Sequence, residues 1–184
     1  FGCLSLLLLL VLGTPSADAH PPEGVPPHAL GGIFPRISAD GESFLFSYHG
    51  SIWLMNRDKS LRQLTGDAGF DVEPAWSSDG QSVVFIRGRS SLNGQVCMLD
   101  IESGKVSQVA GNVTAEGRLF MAADSRRLLG KFSSPGQGMA IGWLEMETGE
   151  VERLQPIRSR RPFALSPDQS TIAYVVTMDV AGEQ

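Results

Sequence analysis

The stretch Trp76-Ser77-Ser78-Asp79-Gly80-Gln81-Ser82-Val83-Val84-Phe85 decides the fold, because it returns at intervals along the chain. Ser38-Ala39-Asp40-Gly41, Ser77-Ser78-Asp79-Gly80, Ala122-Ala123-Asp124-Ser125 and Ser166-Pro167-Asp168-Gln169 align on the aspartate, with steps of 39, 45 and 44 residues between aspartates. Four and six positions beyond each aspartate stand Phe44/Phe46, Val83/Phe85, Leu128/Gly130 and Ile172/Tyr174. Residues two apart on a strand share a face. The positions between them, Leu45, Val84, Leu129 and Ala173, are also apolar. A strand apolar on both faces is covered on both sides.

Each complete unit continues in the same order. A further strand follows, read at Ile52–Met55, Val96–Leu99 and Gly142–Glu145. Then comes a polar turn, where Gly104 and Gly149 suit a positive φ, and an outer strand that alternates apolar and polar: Leu61–Thr65, Val106–Val109 and Val151–Leu154. The Asp reverses the chain by accepting a hydrogen bond from the backbone two residues on, and the Gly after it tolerates φ > 0. Periods of roughly 40–45 residues with four strands each belong to the blades of a β-propeller. A lone four-stranded sheet with two greasy faces is unstable in water, whereas stacked blades cover one another. The expected fold is therefore all-β, about four propeller blades in an incomplete ring: 35–65, 74–110, 117–155 and a partial unit at 162–184. The third unit, with Ser125 for Gly and Gly130 for an aromatic, is expected to be irregular.

At these residues the chain resembles the TolB-type, WD40-like repeat family. Trp76 to Phe85 and Leu165-Ser166-Pro167-Asp168 are similar to its Trp-Ser-Pro-Asp-Gly-x-x-Ile-Ala-Phe pattern, and Ile52–Met55 through Leu64-Thr65 looks like the rest of such a repeat. The resemblance covers residues 33 to 184. It implies a propeller, either a TolB-like platform of the cell envelope or the propeller ahead of the catalytic domain in an exported hydrolase.

The 184-residue chain begins with an apolar run, Leu6–Leu12, too short for the roughly 20 residues of a membrane helix. With Ala17-Asp18-Ala19 behind it, the run reads as the core of a signal peptide cut after Ala19. Without an initiator Met or a basic start, further residues are expected upstream. Residues 20–34 form a Pro-rich lead-in. Cleavage would leave Cys97 as the one cysteine, in an apolar setting that suits a buried residue rather than a reactive thiol. A net charge of −5 with no basic stripe argues against a nucleic-acid partner. Arg158, Arg160 and Arg161 form a basic cluster, read as a solvated loop.

Chemistry-bearing motifs are few. No nucleophile elbow or zinc-binding His pair is present, so no catalytic residue, metal site or cofactor is expected. His20 and His28 fall in the lead-in, and His49 is read as a solvated turn residue. Asn112-Val113-Thr114 fits a glycosylation acceptor. The segment Gly66 to Pro74 is read as a loop at a propeller mouth, where Asp67, Asp71 and Glu73 together suit a cation or the basic end of a peptide. The alternative is that Asp71 braces the crossing between blades. Trp76 opens the strand nearest the axis and either fills the wedge between blades or lines a ligand funnel. Asp40, Gly41, Asp79, Gly80, Asp124 and Asp168 are read as turn residues.

Two functional readings follow. One is an exported, non-catalytic platform whose propeller face binds a protein or peptide. The other is the substrate-gating propeller of a prolyl-oligopeptidase-like peptidase, tricorn-like protease or amidohydrolase, with the catalytic domain beyond Gln184. Both place the chain in the periplasm or outside the cell.

Overall fold

The computed structural model describes residues 32–66, 69–89, 93–109, 112–156 and 163–175, and every regular element among them is a strand. The signal-peptide and lead-in segments, Asp67 and the Arg158–Arg161 cluster lie outside the described residues. The first unit is an antiparallel sheet of β1 (Ile33–Ile37), β2 (Ser43–Tyr48), β3 (Ser51–Asn56) and β4 (Leu61–Gln63), paired in sequence order. The second comprises β5 (Phe70–Trp76), β6 (Ser82–Gly88), β7 (Asn93–Asp100) and β8 (Val106–Gln108). The third comprises β9 (Thr114–Met121), β10 (Arg127–Ser133), β11 (Ala140–Glu145) and β12 (Val151–Pro156), followed by the hairpin β13 (Phe163–Leu165) and β14 (Ile172–Tyr174). The start of β7 also pairs with the start of β9, through Asn93 opposite Glu116, which stitches the second and third units at one rim.

The turn motif works through its serine as well as its aspartate. Ser77 Oγ donates to Asp79 Oδ1 at 2.6 Å and accepts from Ser82 N at 2.9 Å, while Gln81 N donates to Asp79 Oδ1 at 3.0 Å. Ser38 with Asp40 and Ser166 with Asp168 repeat this arrangement. The residue after the aspartate has φ of 76° at Gly41 and 70° at Gly80. Ser125 and Gln169 hold the same left-handed conformation, at 55° and 60°, where a Cβ is unfavourable. Each side chain there reaches the preceding unit's turn. Ser125 Oγ accepts from Ser78 N at 3.0 Å, and Gln169 Oε1 accepts from Ala123 N at 3.1 Å. The lost glycine is replaced by a bond between neighbouring turns.

Alternation on the second strand divides the core. Val83 and Phe85 pack towards the first unit, with Leu45, Ile52, Leu54, Cys97 and Leu99. Val84 and Ile86 pack towards the third, with Leu119, Leu128 and Phe132. Leu129 and Ile141 meet Phe163 of the hairpin. Fully burying each such side chain contributes roughly 1.5–3 kcal/mol, and only because the neighbouring sheet covers it. Burial also pushes the Cys97 thiol up, as suits a buried residue.

Three sequence readings change. The segment read as a loop to Pro74 is strand from Phe70 onward. Pro74 misled the reading because β5 bulges there: Glu73 and Pro74 lie opposite Phe85 alone, and Glu73 takes a φ of 52°. His49 does occupy the turn after β2, but it is half-buried and meets the Tyr48 ring edge-on, at 4.2 Å between centroids. In the third unit the irregularity falls at two places: Gly117, Arg118 and Leu119 lie opposite Gly130, and Leu154 is left unmatched between Arg153 and Gln155, the partners of Gly142 and Ile141. A Cβ at Gly130 would come within 2.7 Å of Phe132 Cζ, so Phe132 supplies the aromatic that this position lacks.

Candidate functional site

The innermost strands β1, β5 and β9 carry the polar groups of interest, and their bulges decide where those groups go. Asp71, 2% exposed, stands directly across from Arg87 of β6. Arg87 Nε and Nη2 donate to its two carboxylate oxygens, each at 2.7 Å. This fork-on-fork pair takes up both oxygens. Two residues on, Glu73 accepts from Arg36 Nη2 of β1 at 2.6 Å. Burial pushes the Glu73 carboxyl above its ordinary value, against the pull of Arg36, Arg118 and Lys131. Burial likewise pushes the Arg36 guanidinium down, with Glu73 opposing and Arg118 adding to the push.

The acidic trio is therefore not assembled among the described residues. Asp71 and Glu73 are each matched by their own arginine rather than converging on a shared cation, and Asp67 lies outside the described residues. No group of three or more His, Cys, Asp or Glu that could hold a metal occurs among the described residues.

Trp76, read from the sequence as opening the innermost strand, instead closes it as the last residue of β5, because the strand begins at Phe70. Its Nε1 donates to Arg36 O at 3.2 Å, and its ring borders a cavity of about 270 Å³. Ile37, Trp76, Met121 and Leu165, each the residue just before a turn motif, line this cavity together with Arg36 and Arg118. Four successive innermost strands thus converge on it. Arg118 is exposed, its guanidinium 4.6 Å from the Phe120 ring centroid. The aspartates Asp40, Asp79, Asp124 and Asp168 stand on the turns around the same rim. Their carboxyls are held below the ordinary value by the turn hydrogen bonds; the Ser166 and Ser170 hydroxyls take Asp168 to about 2.

Sequence reasoning overlooked Arg36, Arg118 and Lys131. The signal that could have found them is a cationic residue inside an otherwise apolar stretch. Arg118 is three residues before Met121, the register that Glu73 holds before Trp76. Lys131, only 4% exposed, follows Leu128, Leu129 and Gly130 on β10.

No family model matches the chain. No curated protein matches it either. Solved structures do. TolB from Acinetobacter baumannii superposes with a TM-score of 0.65 over 78% of this chain and 37% of that one, at 23% identity. For a putative TolB from Agrobacterium tumefaciens the TM-score is 0.55, over 75% of this chain and 62% of that one, at 19% identity. For dipeptidyl peptidase 4 from Porphyromonas gingivalis it is 0.55, over 82% and 30%, at 12% identity. The fold is a β-propeller. At these identities the likeness shows the propeller and carries nothing about activity. This chain spans less than two thirds of each of those proteins. Among the described residues of the propeller, no helix is long and apolar enough to cross a membrane.

Proposed function

We propose that this chain is part of an exported propeller that serves as a non-catalytic platform for a protein or peptide, working in the periplasm or outside the cell. The observation that carries the reading is the cavity where β1, β5, β9 and the β13–β14 hairpin converge, ringed by Ile37, Trp76, Met121 and Leu165. An apolar ring with a few polar groups is the makeup of a recognition site. The apolar run at Leu6–Leu12 followed by Ala17-Asp18-Ala19 supports export. A second reading is that the propeller gates substrate access to a hydrolase domain elsewhere in the intact protein. The fold-level likeness to dipeptidyl peptidase 4 favours it by analogy alone.

The test is to pan a random peptide display library against the intact gene product. Enrichment of peptides whose binding falls at least tenfold in Ile37→Asp is the expected result. Ile37 is 58% exposed, and a melting curve of the variant that matches the parent is part of the test. Failure to enrich any peptide, or binding indifferent to Ile37→Asp, overturns the platform reading.

A further inference from the structure

The cavity at the axis has a charge that the rest of the chain does not share. The protein is acidic overall, at −5, yet the charged residues that line the cavity are Arg36 and Arg118. Glu73 is already engaged by Arg36 Nη2. Arg36 Nε is buried without a hydrogen-bond partner among the described residues. Arg118 has no carboxylate within 4.0 Å among the described residues, and its guanidinium lies over the face of Phe120. The Arg118 guanidinium therefore remains unspent in a concave, partly apolar site. There an anion gains more than it would in bulk water, because low-dielectric walls focus the field.

We propose that this cavity binds the carboxylate of a peptide, with Arg118 as the donor and the apolar ring of Trp76, Met121 and Leu165 holding the adjoining side chain. This deepens the platform reading and rests on it. Geometry selects the ligand class. A volume of about 270 Å³ falls just below the range of roughly 300–1,000 Å³ for sites that enclose a whole small molecule, and it suits a single residue of a longer chain. The planar guanidinium fork matches a carboxylate, and Trp76 and Leu165 match an apolar neighbour. The carboxylate comes either from the peptide's C-terminus or from an Asp or Glu side chain.

The experiment uses the intact gene product and calorimetric titration with three probes. These are acetyl-Ala-Ala-Ala-Phe as the free acid, the same peptide as its C-terminal amide, and acetyl-Ala-Glu-Ala-Phe amide. The free acid is expected to bind at least tenfold more tightly than the neutral amide, and Arg118→Gln should reduce it to the level of the amide. Arg118 is an exposed residue without an ion pair among the described residues, so the variant should melt with the parent. If the glutamate peptide equals the free acid, the carboxylate source is a side chain. If only the free acid gains, it is the terminus. Equal binding of acid, glutamate peptide and neutral amide, all weakened by Ile37→Asp, overturns the carboxylate inference and leaves the platform standing. Binding of none of the three at millimolar concentration counts against both.

Discussion

Replacing Phe85 by Ala probes how one sheet is held against the next. Phe85 is 0% exposed and lies against Leu45, Ile52 and Leu54 of the first unit and Cys97 and Leu99 of its own. Losing the ring forfeits the transfer free energy of a buried Phe, roughly 1.5–3 kcal/mol. A residual void of about 60 Å³ would add ~1.5 kcal/mol at about 24 cal/mol per Å³. The expected cost is about 3–5 kcal/mol. Phe44 supplies the contrast. It occupies the equivalent register to Val83, on the face of β2 turned away from the second unit, and is half-buried. Phe44→Ala should cost about 1–2 kcal/mol, in proportion to the smaller area lost. Urea unfolding of the intact gene product, followed by tryptophan fluorescence with the m-value checked for constancy, measures both. A loss below 1 kcal/mol at Phe85 would refute the assignment of inward faces.

Four further outcomes follow from particular contacts. A double-mutant cycle on Asp71→Ala and Arg87→Ala should give a coupling of about 1–3 kcal/mol in urea unfolding, since each side chain takes two bonds from the other. Ser125→Gly should be nearly neutral, because relief of the left-handed backbone offsets the lost bond to Ser78, whereas Ser125→Ala loses the bond, keeps the strain and costs about 1 kcal/mol by thermal melting. The turn aspartates have folded pKa values below their unfolded ones, so their stabilising contribution is complete above the ordinary carboxylate value and is lost as pH falls towards about 2 at Asp168. Exchange of the Ser170 amide should accelerate relative to its intrinsic rate over that window, and Asp168→Asn should remove the pH dependence. Finally, Ile37 and Leu61, each 58% exposed on the same side of the first unit, should make residues 20–184 self-associate when expressed alone. Light scattering that shows a monodisperse monomer would contradict that expectation.

The repeat was legible because its information is local. An Asp that bonds the amide two residues on, and a Gly with φ > 0, belong to one short stretch and return in register, so strand order and blade composition could be read from spacing. The site was not legible, because its determinants are distant in sequence. Asp71 and Glu73 read as an exposed acidic loop until Arg87, one strand away, and Arg36, 37 residues away, take up their oxygens. Pro74 argued for a loop and is instead absorbed by the bulge in β5. Ser125 and Gln169 read as departures from the pattern, yet each gains a bond across units that only the stacked arrangement allows.

The most direct test of stacking is a cross-link between turns 47 residues apart, where Ser78 Oγ and Ser125 Oγ are 2.5 Å from each other. In a chain with Cys3→Ser and Cys97→Ala, the pair Ser78→Cys and Ser125→Cys should close an intramolecular disulfide under mild oxidation, visible as a loop-linked peptide by mass spectrometry. Free thiols throughout, or disulfides only between separate chains, would contradict blades arranged side by side around one axis.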